Sequence, residues 1–253
     1  MLKRLIYLLL LIVAPLLAFS NDAGPAMFKK GNNLYQKANY KDAAAAYQKM
    51  VDDGYQSAGL YFNLGNAYYK TGDIAPALLY YEKAHRLSPG DEDIRVNIQF
   101  ANSKTTDKIE AVPEFFITKW WTGFILAFPA STLAVFSVLL FIGASGLLIL
   151  YRFSGAVIVK KISFYSAILL LLPGIGTIFI SGRQAAYFDA HHDGIIFNSS
   201  VNVKNAPSGT AKNGFVLHEG TKVSILDKNA SWIKIKLANG NEGWVGAADV
   251  REI

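Results

Sequence analysis

Apolar residues are clustered along the 253 positions of the chain, and their spacing changes from one region to the next. Lys3 and Arg4 precede an uncharged apolar run from Leu5 to Leu17, followed by Ala18, Phe19 and Ser20. The run is about 13 residues, short of the roughly 20 that span a bilayer, and Pro15 interrupts it. Small residues then stand where a signal peptidase cuts, so residues 1–20 are expected to be a secretory signal peptide, with an uncleaved anchor as the other reading. Residues 24–104 place apolar side chains at helical spacing. Two long uncharged stretches follow, 32 residues between Lys119 and Arg152 and 21 between Lys161 and Arg183. From Gly194 onward the apolar period falls to two, the signature of half-buried strands.

The uncharged stretches predict two transmembrane segments, at 120–151 and 162–182. At 1.5 Å per residue the second matches a hydrocarbon core of about 30 Å. The first is too long for one straight crossing, so its beginning is expected at the membrane interface. Trp120 and Trp121 fit an aromatic belt there, with Pro129 at a kink or in the first turn of the spanning helix. Pro173 and Gly174 predict a kink in the second helix. The connection 152–161 carries Arg152, Lys160 and Lys161 and no acid, which makes it the cytoplasmic loop. With one export signal and two crossings, the linkers 105–119 and 183–193 and both soluble regions fall outside the cytoplasm. The expected picture is a membrane hairpin with two external arms.

In the helical region Gly31 and Gly65, Ala43 and Ala77, Tyr47 and Tyr81, and Lys49 and Lys83 are each 34 residues apart. This is the period of the tetratricopeptide repeat (TPR), with copies at 24–57 and 58–91. The second copy is the fuller, with Tyr61, Leu64, Gly65 and Tyr68 on one helix, Ala77, Tyr81 and Ala84 on the next, and Pro89 at its close. The first departs at Met50 and at Tyr55, where a small residue and a proline are usual. Gly65 and Ala77 allow close helix approach, Tyr68 and Tyr81 fill the space between, and Thr71, Gly72 and Asp73 make the turn. Asp91 can cap a further helix carrying Ile94, Ile98 and Ala101 on one face. Resemblance to TPR proteins implies a concave peptide-binding groove, here lined by Asn32, Tyr35, Asn63, Asn66, Tyr69, Lys70 and Asn97. Phe28 and Asp93 stand where a carboxylate clamp of this family would have lysines. For each asparagine the other reading is a solvated helix face.

In the last region Val223 and Ile225, then Ile233, Ile235 and Leu237, alternate with polar neighbours, and Asn239-Gly240 is a strong hairpin signal. About 60 residues of short strands predict a small barrel over 194–253. The stretches 201–207, 215–223 and Gly243-Trp244-Val245 resemble a bacterial SH3-like domain, a type that binds peptides or cell-wall material through exposed aromatics. Trp232 is the candidate contact, against a packed residue as the other reading, and Trp244 reads as structural.

Composition narrows the chemistry. The absence of cysteine excludes disulfides, thiolate zinc sites and cysteine nucleophiles. The formal charge of +6 drops to +4 without the first twenty residues and is too scattered for a nucleic-acid footprint. The four histidines, His85, His191, His192 and His218, form no catalytic set, and His218-Glu219 lacks a second histidine at helical spacing. His191 and His192 with Asp189 and Asp193 read as a polar linker rather than a metal site. No Gly-rich phosphate loop or nucleophile elbow occurs, so neither cofactor nor enzymatic activity is expected.

The fold class expected is therefore a multidomain membrane protein with an all-α TPR solenoid, a two-helix transmembrane hairpin and an all-β SH3-like small barrel. Signal, TPR pair, hairpin and SH3-like domain in this order resemble the BatE family of the aerotolerance (Bat) operon of Bacteroidetes and related bacteria, over nearly the whole chain. That resemblance implies an inner-membrane protein working with other Bat proteins, several with von Willebrand factor A domains, in oxygen or stress tolerance. Two roles stay open. One is a scaffold that recruits envelope proteins through the TPR groove; the other is a tether that holds peptidoglycan or peptide through the SH3-like domain.

Overall fold

The computed structural model describes residues 23–253. The expected signal peptide lies outside the described residues. The chain divides into two compact units, one ending at Gln56 and one running from Ser57 to Ile253.

In the first unit, helices α1 (Ala23–Gln36) and α2 (Tyr40–Asp52) form a pair. Gly31 faces the ring of Tyr47, which occupies the space a side chain there would take. The Tyr47 hydroxyl donates to Asn32 Oδ1 at 2.6 Å. Tyr55, the departure from the repeat pattern, has its ring over Gly24: a Cβ at position 24 would stand 2.8 Å from it. The missing proline is thus replaced by an aromatic lid on a glycine.

The second unit opens with α3 (Ala58–Thr71), capped by Ser57 Oγ accepting from Leu60 N at 3.1 Å. Gly72 takes the left-handed conformation at φ 90° and turns the chain into α4 (Ile74–Leu87). A Cβ on Gly65 would lie 2.6 Å from the Tyr81 ring, so this glycine sets the distance between the two helices. Asp91 Oδ1 accepts from the backbone of Asp93 and Ile94 and starts α5 (Glu92–Lys104).

Residues 120–151 are not a single helix. Helix α6 (Phe116–Ile125) ends before Pro129, which serves as N-cap to α7 (Ala130–Phe153). Proline suits that place because the first helical turns need no amide donor. After a turn at Ser154–Ala156, α8 (Val157–Ala190) runs back alongside α7 and continues through Pro173. Residues 183–190 belong to α8 and are no linker; Gln184, 2% exposed, ties this end of the helix to the backbone of α6. Among the described residues, α7 and α8 are the two helices long and apolar enough to cross a membrane. Ser137, Ala144, Ser163, Ala167 and Gly174 are among their buried residues, the small side chains that let apolar helices approach closely.

The C-terminal module is a seven-stranded antiparallel sheet ordered β3-β2-β6-β5-β4-β1-β7. Its strands are β1 (Asp193–Ile196), β2 (Ser200–Lys204), β3 (Asn213–His218), β4 (Lys222–Asn229), β5 (Trp232–Lys236), β6 (Glu242–Gly246) and β7 (Val250–Glu252). Val223, Ile233, Ile235 and Leu237 point into its core, as the alternation requires, together with Val201, Val203, Leu217 and Val245. Asn239-Gly240 is the hairpin turn, with Gly240 at φ 91°.

The picture of two separate arms fails. Ile195 of β1 is fully buried in one apolar cluster with Ala75, Leu78, Leu79 and Tyr81 of α4 and Ala101 of α5. Phe197 and Ile253 pack on the same cluster. The sheet and the second repeat therefore share a core, because α4 is apolar around most of its circumference and its helical partners α3 and α5 leave part of it uncovered.

Gly65→Leu tests this packing. Overfilling the contact with Tyr81 is expected to cost about 1–3 kcal/mol or more. Hydrogen exchange should rise in β1 together with α3 and α4, because Ile195 loses its bed; exchange confined to the helices would contradict the shared core.

Candidate functional site

Two groups of residues can carry function: the side chains expected to line the TPR groove, and the junction where the sheet meets the second repeat. The first group is partly committed to the fold. Asn66 Oδ1 accepts from the Tyr81 hydroxyl at 2.7 Å and from Asn97 Nδ2 at 2.8 Å, so α3, α4 and α5 meet at this one amide. Asn32 holds Tyr47 in the same way in the first unit, fifteen residues apart in both copies. Tyr35 meets Tyr40 edge-on with ring centres 5.1 Å apart. Tyr69 packs against the cluster around Leu78. Asn63 is half-buried and Lys70 is exposed on α3. The 34-residue recurrence of the asparagines thus has a structural cause as well: each copy needs an acceptor for its buried tyrosine hydroxyl.

On the sheet, Trp232 and Trp244 are half-buried and point away from the core. Trp244 pairs with Lys204 on one side and Lys234 on the other, whereas Trp232 pairs with Asn229 and Gly246. Trp244 is therefore flanked by lysine stems, while its counterpart lies beside a residue without a side chain. Lys234 also reaches Glu242 at 2.9 Å, and its hydrogen bond holds the Glu242 carboxyl below its ordinary value.

The junction went unread in the sequence. Lys222 Nζ lies 2.8 Å from Glu82 Oε2 and 3.3 Å from Asp193 Oδ2, which joins β4, α4 and β1 through one ammonium. Burial pushes the Lys222 pKa down, but the two carboxylates outweigh it and raise the pKa above the usual lysine value. Arg86 donates to the Ile253 carbonyl at 3.0 Å. On the other flank, Asp107 follows α5 and accepts from His218 N, His218 Nδ1 and Thr221 Oγ1 at 2.7, 2.8 and 2.7 Å. Burial pulls the Asp107 pKa upward, yet these hydrogen bonds prevail and hold it below the ordinary carboxylate value. Between the two anchors Gly220, at φ 83°, brings the β3–β4 turn against α4; a Cβ there would meet Thr105 at 2.7 Å and Leu78 at 3.3 Å.

Beside Lys222 lies a cavity of about 90 Å³, bordered by Glu82, His85, Arg86, His191 and Asp193. His85 Nδ1 is buried there and has no hydrogen-bond partner among the described residues. Burial, partly offset by Glu82, keeps the His85 pKa below its ordinary value. Among the described residues, no group of His, Asp and Glu side chains is placed to hold a metal ion.

The signal for this junction was present in α4. Ala75, Leu78, Leu79, Tyr80, Tyr81 and Glu82 are all buried, more of the helix than a single antiparallel partner covers. A carboxylate within such a run requires a cation from elsewhere.

Two measurements check the junction. Removing one partner of a fully buried pair costs about 3–5 kcal/mol, and since Lys222 is 41% exposed, Lys222→Met is expected to cost about 1–3 kcal/mol. Glu82→Leu with Lys222→Met should recover part of this, with a coupling of at least ~1 kcal/mol in denaturant melts of the detergent-solubilised chain. Acid should loosen the junction in two steps. His85 is harder to protonate folded than unfolded, so stability falls as pH drops below the unfolded histidine value of about 6.5. Asp107 is more acidic folded than unfolded; its contribution is present above about pH 4 and is lost as pH falls through its depressed value. In melting curves against pH, His85→Gln should remove the first step and Asp107→Asn the second.

Residues 28–92 match the tetratricopeptide repeat family model and residues 199–251 the bacterial SH3 domain model. No curated protein matches the chain. Among solved structures, the C-terminal SH3 domain of myosin IB from Entamoeba histolytica is similar over 21% of this chain and 90% of its own, at 30% identity and a TM-score of 0.16. The chain thus joins a tetratricopeptide-repeat region to a bacterial SH3 domain, two kinds of binding module, with two long apolar helices between them.

Proposed function

We propose that the protein is a non-enzymatic, two-pass scaffold of a bacterial inner membrane that holds its TPR and SH3-like modules in the periplasm and recruits envelope proteins through the TPR groove. The observation that carries this reading is the docking of the sheet on α4, the second helix of its repeat. Helix α3 and the cap α5 keep the side chains of the proposed groove, Asn63, Asn66, Lys70 and Asn97. A partner held there would pull on a body joined to the membrane helices.

The membrane reading is supported by α7 and α8, whose outward faces present Val138, Leu139, Leu169 and Leu172 at 50–72% exposure, a surface suited to lipid. The second repeat and the sheet lie at the end of the hairpin opposite the turn at Ser154–Ala156, and Arg152, Lys160 and Lys161 flank that turn. The order of segments supports membership of the BatE family, with partners among Bat proteins that carry von Willebrand factor A domains and a role in aerotolerance. The second reading, a peptidoglycan tether, is favoured by Trp232, whose β6 neighbour Gly246 offers no side chain.

Two experiments on the full chain in its native membrane test the proposal. In this cysteine-free protein, Lys70→Cys should react with an impermeant maleimide in intact spheroplasts and Gly155→Cys only after lysis; labelling of Gly155→Cys from outside would reverse the topology. A photo-crosslinker at Asn63 or Lys70 should capture a Bat protein with a von Willebrand factor A domain. Crosslinks only from position 232, and only to peptidoglycan, would replace the scaffold by the tether.

A further inference from the structure

Gln184 is an amide near the end of a long apolar helix, and it is almost wholly buried. Its Nε2 donates to the carbonyl of Ile125 at 3.1 Å and to that of Phe128 at 3.0 Å. These carbonyls belong to the last residue of α6 and the turn after it, where a helix leaves its acceptors without internal partners. The side chain fastens the end of α6 to α8.

The height of this fastening follows from the charges. Twenty-one uncharged residues separate Lys161 from Arg183, a rise of about 32 Å against a hydrocarbon core of about 30 Å. Arg183 and Gln184 therefore mark the far boundary of the core, and α6 is tied at that level. Helix α7 alone, at 24 residues, rises about 36 Å and needs nothing from α6 to complete its crossing.

The two sides of α6 differ. Phe116, Trp120 and Phe124 recur every fourth position and are 70%, 69% and 47% exposed, forming one unpartnered aromatic stripe. Lys119, Thr122 and Leu126 border a groove whose other wall is the α4–α5 turn at Pro89, Gly90 and Asp91. Gly90 is close enough to the Ala127 carbonyl that a Cβ would clash with it.

We propose that α6 is an amphipathic strap lying in the interfacial layer of the bilayer, with Phe116, Trp120 and Phe124 against lipid and its other side against the α4–α5 turn. The second repeat is thereby seated on the membrane surface. Aromatic side chains favour that layer, and an amphipathic helix in it buries its apolar face among headgroups and upper acyl chains. The proposal rests on the reading of α7 and α8 as membrane spans.

The absence of cysteine allows spin labels to be placed one at a time on the full chain, reconstituted in phosphatidylcholine–phosphatidylglycerol vesicles. Labels at Phe116→Cys, Trp120→Cys and Phe124→Cys report the stripe, Lys119→Cys and Thr122→Cys the other side, and Val138→Cys and Leu169→Cys the spans. The ratio of collisions with oxygen to collisions with a water-soluble nickel chelate should be several-fold higher on the stripe than at 119 and 122. It should be higher still at 138 and 169. A stripe ratio no higher than at 119 and 122, with 138 and 169 still lipid-like, overturns the strap and leaves the spans. Water-like ratios at 138 and 169 overturn both.

Discussion

A carboxylate that is 6% exposed cannot stay charged without a cation, and in this protein the cation comes from 140 residues further along the chain. Glu82 sits in α4 and Lys222 opens β4, so satisfying this one acid fixes where the sheet rests on the second repeat. The apolar contacts around it agree: Ile195 enters the helical cluster, and Gly220 lets the β3–β4 turn approach Leu78 where any side chain would intrude. Between the two partners lie α6, α7 and α8, which must leave the junction and return to it. Only an even number of long passes does that, so the ion pair and the hairpin impose the same arrangement by different physics.

This coupling changes what a binding event means. Were the modules free arms, each would hold a ligand independently and the hairpin would be a passive anchor. As one body with a shared core, the repeat and the sheet respond together to load, to acid at His85 and Asp107, and to whatever holds α6. The cost is a dependence on several polar anchors at one junction, where loss of one leaves its neighbours buried without partners.

Much of the architecture is legible in the amino-acid sequence. The 34-residue period located Gly65 against Tyr81 because close helix approach demands a residue without a side chain opposite a ring. Alternation placed Ile233 and Ile235 inward and Lys234 and Lys236 outward. The groove was less legible. Asn66 is placed by its repeat position, but repeat position cannot distinguish an amide offered to a peptide from one accepting a tyrosine hydroxyl and a second amide. Both uses select the same residue type at the same spacing.

The sequence by itself determined the elements that depend on local rules: helical period and caps, strand alternation, the Asn239-Gly240 turn, and the length of the uncharged stretches. It also carried, in the apolar circumference of α4, a sign that some further surface must cover that helix. Tertiary structure alone decided which surface did so, because the partners of Glu82 and Asp107 and the helical partners of Ile195 lie more than ninety residues away and no short-range pattern records such distances. The same holds at Gln184, which reads in sequence as one polar residue beside Arg183. Folded, it satisfies the carbonyls of Ile125 at the end of α6 and of Phe128 in the turn after it, and only the packing of α8 against α6 could bring that donor to them.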